Sequence, residues 1–178
     1  MLTMEEFNQL FTGLQHSAWR LLTLDGYNAT EQERARVAEW RRSGQVPDRS
    51  GDAWIQMVGR YRKAGVPFAR THIFPGRRHL PEYCEYVLGS YEANDAAGER
   101  VSIADRDLHP VLAEVKTDFW VLDDAVVVLE YDDARRYLGA HFAVGEEADL
   151  CRAQQALAQR WCVPLAQYKA DRRGRLTA

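Results

Sequence analysis

This sequence has few cysteines, and it lacks both long apolar runs and a basic opening segment. Its 178 residues include three cysteines, Cys84, Cys151 and Cys162, and no Cys-x-x-Cys motif. Such usage disfavours a disulfide framework and indicates a reducing compartment. The opening MLTMEEFNQLF carries acids where a signal peptide carries bases, and no apolar run approaches the roughly 20 residues of a membrane span. We therefore expect a cytoplasmic protein with no membrane partner.

Motifs that would indicate a specific chemistry are also missing. The sequence has no GxxxxGK loop, no GxGxxG segment after a strand, and no His or Cys spacing typical of zinc. His16 beside Ser17 suggests a nucleophile and its base, but neither a glycine-framed elbow nor a third orienting group accompanies them. Cys84 together with His72 or His79 also lacks a glycine-framed elbow and a third orienting group. The sequence thus predicts no catalytic residue, no metal ligand and no cofactor.

Length and composition fit one folded unit. Hydrophobic residues make up 46% and charged residues 28% of the chain, which is ordinary for a globular protein. The Gly-, Ser- and Pro-rich stretch 43–51 is interpreted as a loop, because about 50 residues before it would hardly fold alone. We predict a single domain over residues 1–168 and a basic, frayed tail over residues 169–178.

The strongest strand signals lie in residues 118–144, DFWVLDDAVVVLEYDDARRYLGAHFAV. Two polar turns divide this stretch into three runs of aromatic and branched residues, which predicts a three-stranded meander. The middle run, 125–131, is apolar on both alternating sets, so we expect it to be covered on both faces and to be the central strand. Residues 17–24 can form a short strand or an extended arm. Further strand signals lie at residues 67–74 and 100–104.

Helical periodicity and capping signals separate these strands. Thr3 with Glu6 and Thr30 with Glu33 have the spacing of a capping box. Helices are predicted over residues 4–15, 31–42, 53–64 and 81–98, and a last one runs from about residue 146 until Pro164 stops it. The fold class expected is α+β, with a mixed, largely antiparallel sheet of about five strands and flanking helices.

Charge is unevenly distributed, although the net charge is only -3. Between Ala53 and Pro81 there is no acid, and the bases are Arg60, Arg62, Lys63, Arg70, Arg77 and Arg78. With its aromatic neighbours this segment could face phosphate or nucleic acid. A solvated helix face and a basic loop explain it more simply. The sequence therefore disfavours direct nucleic-acid binding.

Arg70 and His72 lie two positions apart on a predicted strand, so their side chains should emerge on the same face. Together with Arg20, Tyr83 and Tyr86 they could line a pocket that binds a small anionic molecule through guanidinium hydrogen bonds. The alternative is that Arg70 pairs with a carboxylate in the sheet and His72 is exposed. These five residues are the predicted ligand-binding site.

Two pairs of adjacent aspartates, Asp123-Asp124 and Asp132-Asp133, could bind a divalent cation or act as acid and base. Both pairs fall in predicted hairpin turns, where aspartate is favoured for backbone reasons. The two turns also lie at opposite ends of the strand between them. We therefore interpret all four as turn residues.

Several segments, SAWRLLTLDGY, GER, DFWVLDDAVVVLEYDD, YLGAHF and VPLAQY, resemble an uncharacterised family of small actinobacterial proteins. Members of that family are commonly encoded beside helix-turn-helix regulators, and no reaction is assigned to them. The resemblance spans most of the chain and is patchy between residues 28 and 66. It implies an accessory role beside a regulator.

The order of strands and helices is also distantly similar to half of a phospholipase-D-like domain. Hydrolases of that superfamily depend on a His-x-Lys motif followed by an aspartate. His141 is followed here by Phe142 and Ala143, and the other histidines match no better. This resemblance implies a degenerate, non-hydrolytic member that binds a ligand.

The expected function is a non-enzymatic accessory or regulatory protein that binds a protein partner, such as a transcription regulator, and a small anionic ligand. The alternative is a small enzyme of secondary metabolism or nucleotide chemistry that uses Arg20, Arg70 and His72. A buried cleft with His72 inside and a shifted pKa favours the enzyme, and a shallow apolar patch favours the binding module. Homodimer formation stays open.

Overall fold

A computed structural model describes residues 1–28, 30–76 and 79–177, the last three by their backbone alone. The strands are β1 (Ala18–Leu22), β2 (Phe68–Phe74), β3 (Glu99–Asp105), β4 (Asp118–Leu122), β5 (Ala125–Tyr131), β6 (Tyr137–Phe142) and β7 (Val163–Pro164). The helices are α1 (Met4–Gln9), α2 (Glu31–Ser43), α3 (Ala53–Lys63), α4 (Glu82–Ala97), α5 (Glu146–Trp161) and α6 (Leu165–Thr177). A 3-10 helix spans Pro110–Glu114. Within these ranges no helix has both the length and the apolarity needed to cross a membrane.

All seven strands join one mixed sheet in the order β6-β5-β4-β1-β2-β3-β7. The α+β class is confirmed, but the prediction of about five, largely antiparallel strands is wrong. The three strands β1, β2 and β3 pair in parallel, and the remaining neighbours pair antiparallel. Helices connect β1 to β2 and β2 to β3, and such crossovers bring consecutive strands into parallel alignment.

The central strand of the sheet is β1 rather than β5. β5 is covered on both faces as expected, since Val126 and Val128 pack into one apolar cluster and Val127 and Leu129 into another. It nevertheless lies one strand from the edge. Its apolar pattern reports burial, and burial on both faces does not require a central position.

The two faces of the sheet are covered differently. On what we call the apolar face, α5 and the 3-10 helix cover side chains that include Leu21 and Phe119. On the opposite, polar face, α1 and α3 cover one apolar cluster around Trp120, while α4 and α6 cover another around Phe74. Between these two clusters the polar face carries Arg20 and charged groups of β2 and β3.

The first helix has the predicted start but not the predicted end. Thr3 and Glu6 form the full capping box, with the Glu6 backbone N–H donating to Thr3 Oγ1 at 3.2 Å and the Thr3 N–H donating to the Glu6 carboxylate at 2.8 Å. The helix ends at Gln9 because the following turn is held by Tyr61, whose hydroxyl donates to the Phe11 carbonyl at 2.6 Å. Phe11 and Leu14 are therefore buried without being helical.

The chain after Pro164 forms α6, which the sequence analysis did not predict. Residues 169–177, for which the sequence predicts a frayed tail, lie in this helix. Its basic side chains reach α4, where Arg172 binds Glu85 at 2.5 Å and Lys169 pairs with Glu92. The two residues of each ion pair are far apart in the sequence. Arg172 and Glu85 are separated by 87 positions, and Lys169 and Glu92 by 77.

Candidate functional site

A cavity of about 510 Å³ opens on the polar face, between the two apolar clusters. Its floor is the sheet itself, where Arg20 of β1 and Arg70 of β2 are Cα partners on adjacent parallel strands. Its walls come from α1, the start of α2, the start of α4 and the segment before α2. We call it the arginine–tyrosine cavity, after Arg20, Arg70, Tyr27, Tyr83, Tyr131 and Tyr137 in its lining.

The guanidinium of Arg70 is paired. Its Nε donates to Glu99 at 2.5 Å, and Glu99 also accepts from Asn94 at 2.6 Å and from the Trp54 indole at 3.0 Å. Burial raises the pKa of Glu99, but the adjacent Arg70 charge and these hydrogen bonds outweigh burial and lower the pKa below its usual value. The Glu99 carboxylate is therefore charged and fully buried, and Arg70 neutralises it.

Arg20 lies beside this pair but differs from it. Among the described residues no carboxylate lies within ion-pair distance of Arg20, which donates a hydrogen bond from Nη2 to the Tyr131 hydroxyl at 3.3 Å. Its Nε is buried and has no hydrogen-bond partner. Burial lowers the pKa of Arg20, but nearby Tyr131, Tyr27 and Asp118 raise it overall, so the side chain stays charged. The floor therefore holds one cation with no paired anion.

A chain of aromatic rings surrounds the cavity. Ring centroids lie 5.8 Å apart for Tyr83 and Tyr27, 5.3 Å for Tyr27 and Tyr131, and 6.0 Å for Tyr131 and Tyr137. Phe7 of α1 extends the chain, with its centroid 6.2 Å from that of Tyr137. We call these five rings the aromatic belt. The belt gives the cavity walls that are apolar yet able to stack on a flat ligand.

Buried Asp118 fixes the position of Tyr27 in the belt. The Tyr27 hydroxyl donates to Asp118 at 2.5 Å, and Thr23 donates to the same carboxylate through its backbone N–H at 2.8 Å and its hydroxyl at 2.6 Å. Burial raises the pKa of Asp118, and the hydrogen bonds and the charge of Arg20 only partly offset that rise. Asp118 therefore anchors the segment that carries Tyr27.

The opening of the cavity is also basic. Arg34, Arg135 and Arg136 line it, and Glu33 is the one carboxylate among the described lining residues. Arg135 pairs with Asp25 at 2.5 Å and Arg136 with Asp132 at 2.7 Å, both outside the lining. Most of these charges are therefore compensated locally, and the net positive charge is concentrated towards Arg20.

The structure separates the five predicted site residues. Arg20, Arg70 and Tyr83 line the cavity, whereas Tyr86 is buried against Trp40 of α2, with ring centroids 5.8 Å apart. Arg70 forms the ion pair with a sheet carboxylate that was the alternative to a ligand contact. His72 is buried beneath the cavity rather than exposed.

His72 has no free nitrogen. Nε2 lies 2.8 Å from the Leu24 carbonyl, which can only accept, so we assign the proton to Nε2 and the acceptor role at Nδ1 to the bond from Tyr91, at 2.9 Å. Burial, with the charges of Arg70 and Arg20, lowers the pKa of His72 to about 3. His72 is therefore a neutral residue that holds Tyr91 and the end of β1 in place.

Residues that the sequence analysis missed complete the site. Tyr27, Tyr131 and Tyr137 form most of the aromatic belt, and Glu99 forms the ion pair with Arg70. The tyrosine-rich ends of β5 and β6 carried a usable signal, because Tyr131 and Tyr137 flank one hairpin turn. Nothing in the sequence associates that hairpin with Tyr27, about 100 positions earlier.

Two other predicted features are structural. Asp123, at φ 50°, accepts the backbone N–H groups of Gln15, His16 and Ser17 at 2.8–3.1 Å, and so supports a turn. Within the described part of the chain no group of three or more His, Cys, Asp and Glu could hold a metal. In the basic segment Arg60 is exposed on α3. Arg77 and Arg78 lie outside the described residues.

A second cavity of about 550 Å³ lies at the far edge of the sheet, between β3 and α6. His109 stacks there on Trp161 with centroids 4.3 Å apart. Asp105 accepts the backbone N–H of Asp107 at 3.0 Å and so serves the loop after β3. Its described lining contains no arginine or lysine, and it therefore lacks the charge that distinguishes the arginine–tyrosine cavity.

Comparison with solved structures finds a chain described as that of TrmBL2, an archaeal chromatin protein that shows a novel mode of DNA binding. The identity is 13%, the TM-score is 0.44, and the match covers 89% of this chain and 49% of that one. This chain thus spans about half the length of the chain that it resembles. The expectation that disfavoured direct nucleic-acid binding is withdrawn.

Comparison with curated proteins found no significant match. A family model described as a domain of unknown function, DUF6879, matches residues 5–170. This range includes the whole sheet, the aromatic belt and both floor arginines. The resemblance to an uncharacterised family is thereby confirmed, and the chain belongs to the DUF6879 family.

Proposed function

We propose that this chain is a non-enzymatic accessory or regulatory protein that binds a small anionic molecule in the arginine–tyrosine cavity. The observation that carries the proposal is the state of Arg20, a half-buried side chain whose buried Nε has no hydrogen-bond partner and which has no carboxylate at ion-pair distance in the described residues. Burying a charge without an opposite charge is costly. An anionic ligand on Arg20 would remove that cost.

The neighbouring charges support the same assignment. Arg70 is paired with Glu99, and at the opening Arg135 is paired with Asp25 and Arg136 with Asp132. These pairs leave Arg20 as the main positive charge that an anion would meet in the cavity. A low dielectric between the rings of the belt strengthens the attraction once the ligand is inside.

The partner that we propose is a helix-turn-helix regulator. The resemblance of the sequence to actinobacterial proteins encoded beside such regulators supports this choice. An accessory protein that binds a small molecule can transmit its presence to a regulator through a ligand-dependent surface. The cytoplasmic setting that this role requires agrees with three free cysteines.

The alternative of an enzyme gains no support from His72. Both of its ring nitrogens are hydrogen-bonded in the interior, and its side chain lies outside the cavity lining. A general base must reach the proton that it removes. The missing His-x-Lys motif also agrees with a non-hydrolytic protein.

The proposal is tested by calorimetric titration with AMP, ribose 5-phosphate and 4-hydroxybenzoate. We expect at least one of these anions to bind the wild type, and Arg20→Gln to weaken that binding by about 10- to 100-fold, because a charge-assisted hydrogen bond contributes about 1.5–3 kcal/mol. The matched control is Arg60→Gln, at an exposed position on α3, which should bind as the wild type does. The proposal is contradicted if none of the three anions binds the wild type. It is also contradicted if Arg20→Gln binds the anion as tightly as Arg60→Gln does.

A further inference from the structure

The arginine–tyrosine cavity is much larger than a bare oxyanion requires. Its volume is about 510 Å³, whereas one water molecule in the liquid occupies about 30 Å³. Cavities of roughly 300–1,000 Å³ bury whole organic ligands rather than single ionic groups. The ligand therefore has a body as well as a charge.

The walls indicate what kind of body fits. Leu22 and Leu129 cover the floor beside Arg20, and the aromatic belt lines the sides. A sugar or an aliphatic polyol in this position would lose hydrogen bonds to water that leucine and ring carbons cannot replace. A flat aromatic body would instead gain contact with the belt, whose neighbouring rings lie 5.3–6.2 Å apart.

Two polar atoms of the lining residues have no hydrogen-bond partner among the residues that the structure describes. One is Arg20 Nε, a donor suited to an oxyanion, and the other is the Tyr137 hydroxyl, which is buried and can donate or accept. Most buried polar groups in proteins are hydrogen-bonded, so these two unpartnered atoms mark the Arg20 floor and the Tyr137 wall as places where the protein alone leaves hydrogen bonds unmade. Tyr137 lies in the belt, and Arg20 lies on the floor.

Resting on the proposed function, we infer that the ligand is an aromatic oxyanion, with its carboxylate or phosphate on Arg20 and its ring inside the aromatic belt. The anionic group bonds the guanidinium at the floor. The ring packs against Tyr131 and Tyr137 in the cavity wall. Charge and ring together define the ligand class, and neither is sufficient alone.

The test compares pairs of ligands that differ only in one of these two features. AMP is titrated against ribose 5-phosphate, which lacks the ring, and against adenosine, which lacks the charge. 4-Hydroxybenzoate is titrated against trans-4-hydroxycyclohexanecarboxylate, which keeps the carboxylate and the hydroxyl but lacks the aromatic ring. We expect the aromatic anion to bind at least about tenfold more tightly than its partners in one of the two series, because base–aromatic stacking alone has that magnitude. The series that binds identifies phosphate or carboxylate as the anionic group.

Variants of the belt provide the second readout. Tyr137→Leu should remove the advantage of the aromatic anion, while Tyr137→Phe, which keeps the ring, should retain most of it. If ribose 5-phosphate binds as tightly as AMP and both depend on Arg20, the anion site stands and the aromatic ligand is ruled out. If adenosine binds as tightly as AMP, the pairing of ring and charge is wrong. If no anion binds, the proposed function fails together with this inference.

Discussion

On one face of the sheet, α5 and the 3-10 helix cover a continuous layer of apolar side chains; on the other, four helices surround charged groups that they do not fully cover. The apolar face is built from residues such as Leu21, Phe119 and Val128. The polar face has Arg20, Arg70, His72 and Glu99 between two apolar clusters. The same strands supply both faces, because successive side chains alternate.

The difference shows how this fold can make a site without losing its stability. The apolar face buries its residues as an ordinary core does, and that burial drives folding. The polar face gives up some of that gain to hold charges in fixed positions. Helices α1 and α3 on one side and α4 and α6 on the other stabilise its two clusters, and the cavity lies between the two pairs, with α1 and α4 contributing to its walls.

Separating the buried ion pair should have the largest effect. Arg70→Met leaves Glu99 fully buried with no cation at ion-pair distance, and we expect unfolding free energy to fall by about 3–5 kcal/mol. Urea denaturation measures this. The double variant Arg70→Met with Glu99→Leu removes both charges and should recover most of the loss. Equal destabilisation of the single and double variants would show that packing, not charge, dominates here.

A cavity in the apolar face should cost nearly as much but leave the site unaffected. Leu21 is fully buried under α5, and Leu21→Ala should lower the unfolding free energy by about 2–5 kcal/mol. The matched control, Val144→Ala, lies at a position that is 76% exposed and should change stability by less than about 0.5 kcal/mol. Ligand affinity of the folded Leu21→Ala protein should equal that of the wild type. A loss of affinity would show that the two faces are coupled.

Acid should destabilise the polar face through His72 before it affects carboxylates. The folded pKa of His72 is about 3, below its usual value of 6.5, so the unfolded chain binds a proton that the folded chain rejects. Stability is therefore fully present above pH 6.5 and is lost as pH falls from 6.5 toward 3. Between pH 7 and pH 5 the loss should be about 2 kcal/mol.

Urea denaturation of two variants at pH 7 and pH 5 isolates this contribution. His72→Gln should show a smaller difference between the two pH values than the wild type, whereas His16→Gln, at an exposed position, should keep the full difference. If His72→Gln does not fold, the imidazole resonances of the wild type give the same information, since His72 should stay neutral at pH 5. Protonation of His72 near pH 6.5 would contradict the buried, doubly bonded geometry.

The local pattern of the sequence predicted where helices and strands lie better than how they assemble. The alternation in residues 118–144 located three strands, and Thr3 with Glu6 located a capping box, because both depend on neighbours in the chain. Strand order depends on crossovers, so the parallel pairing of β1 with β2 was missed. A two-residue strand, β7, carries too few residues for any pattern.

The candidate site was only partly predictable for a similar reason. Arg20, Arg70 and Tyr83 were singled out by residue type, and the structure places all three in one cavity. Residue type could not reveal that Glu99 neutralises Arg70 and that no described carboxylate does so for Arg20. That distinction arises from strand register, which sets which side chains meet across β2 and β3.

The smallest expected effect is the most informative about the polar face, because it distinguishes Arg20 from Arg70. These two arginines are Cα partners on adjacent strands. Arg20→Met removes a half-buried charge that has no described carboxylate partner, along with a 3.3 Å hydrogen bond to Tyr131 and a cation–π contact at 5.4 Å from the Trp120 ring. The hydrogen bond and the ring contact each contribute about 1 kcal/mol, and relief of the desolvated charge offsets them. We expect the unfolding free energy without ligand to change by less than about 1 kcal/mol, against about 3–5 kcal/mol for Arg70→Met.

The same urea series, run without added anion, measures both variants. A loss near 3 kcal/mol for Arg20→Met would make Arg20 a structural charge like Arg70, and its unpaired guanidinium would no longer need a ligand to explain it. A near-zero change together with loss of anion binding would mean that the fold retains Arg20 at little benefit to its own stability. That pattern is expected of a binding residue, because proteins tolerate locally unfavourable groups where function requires them.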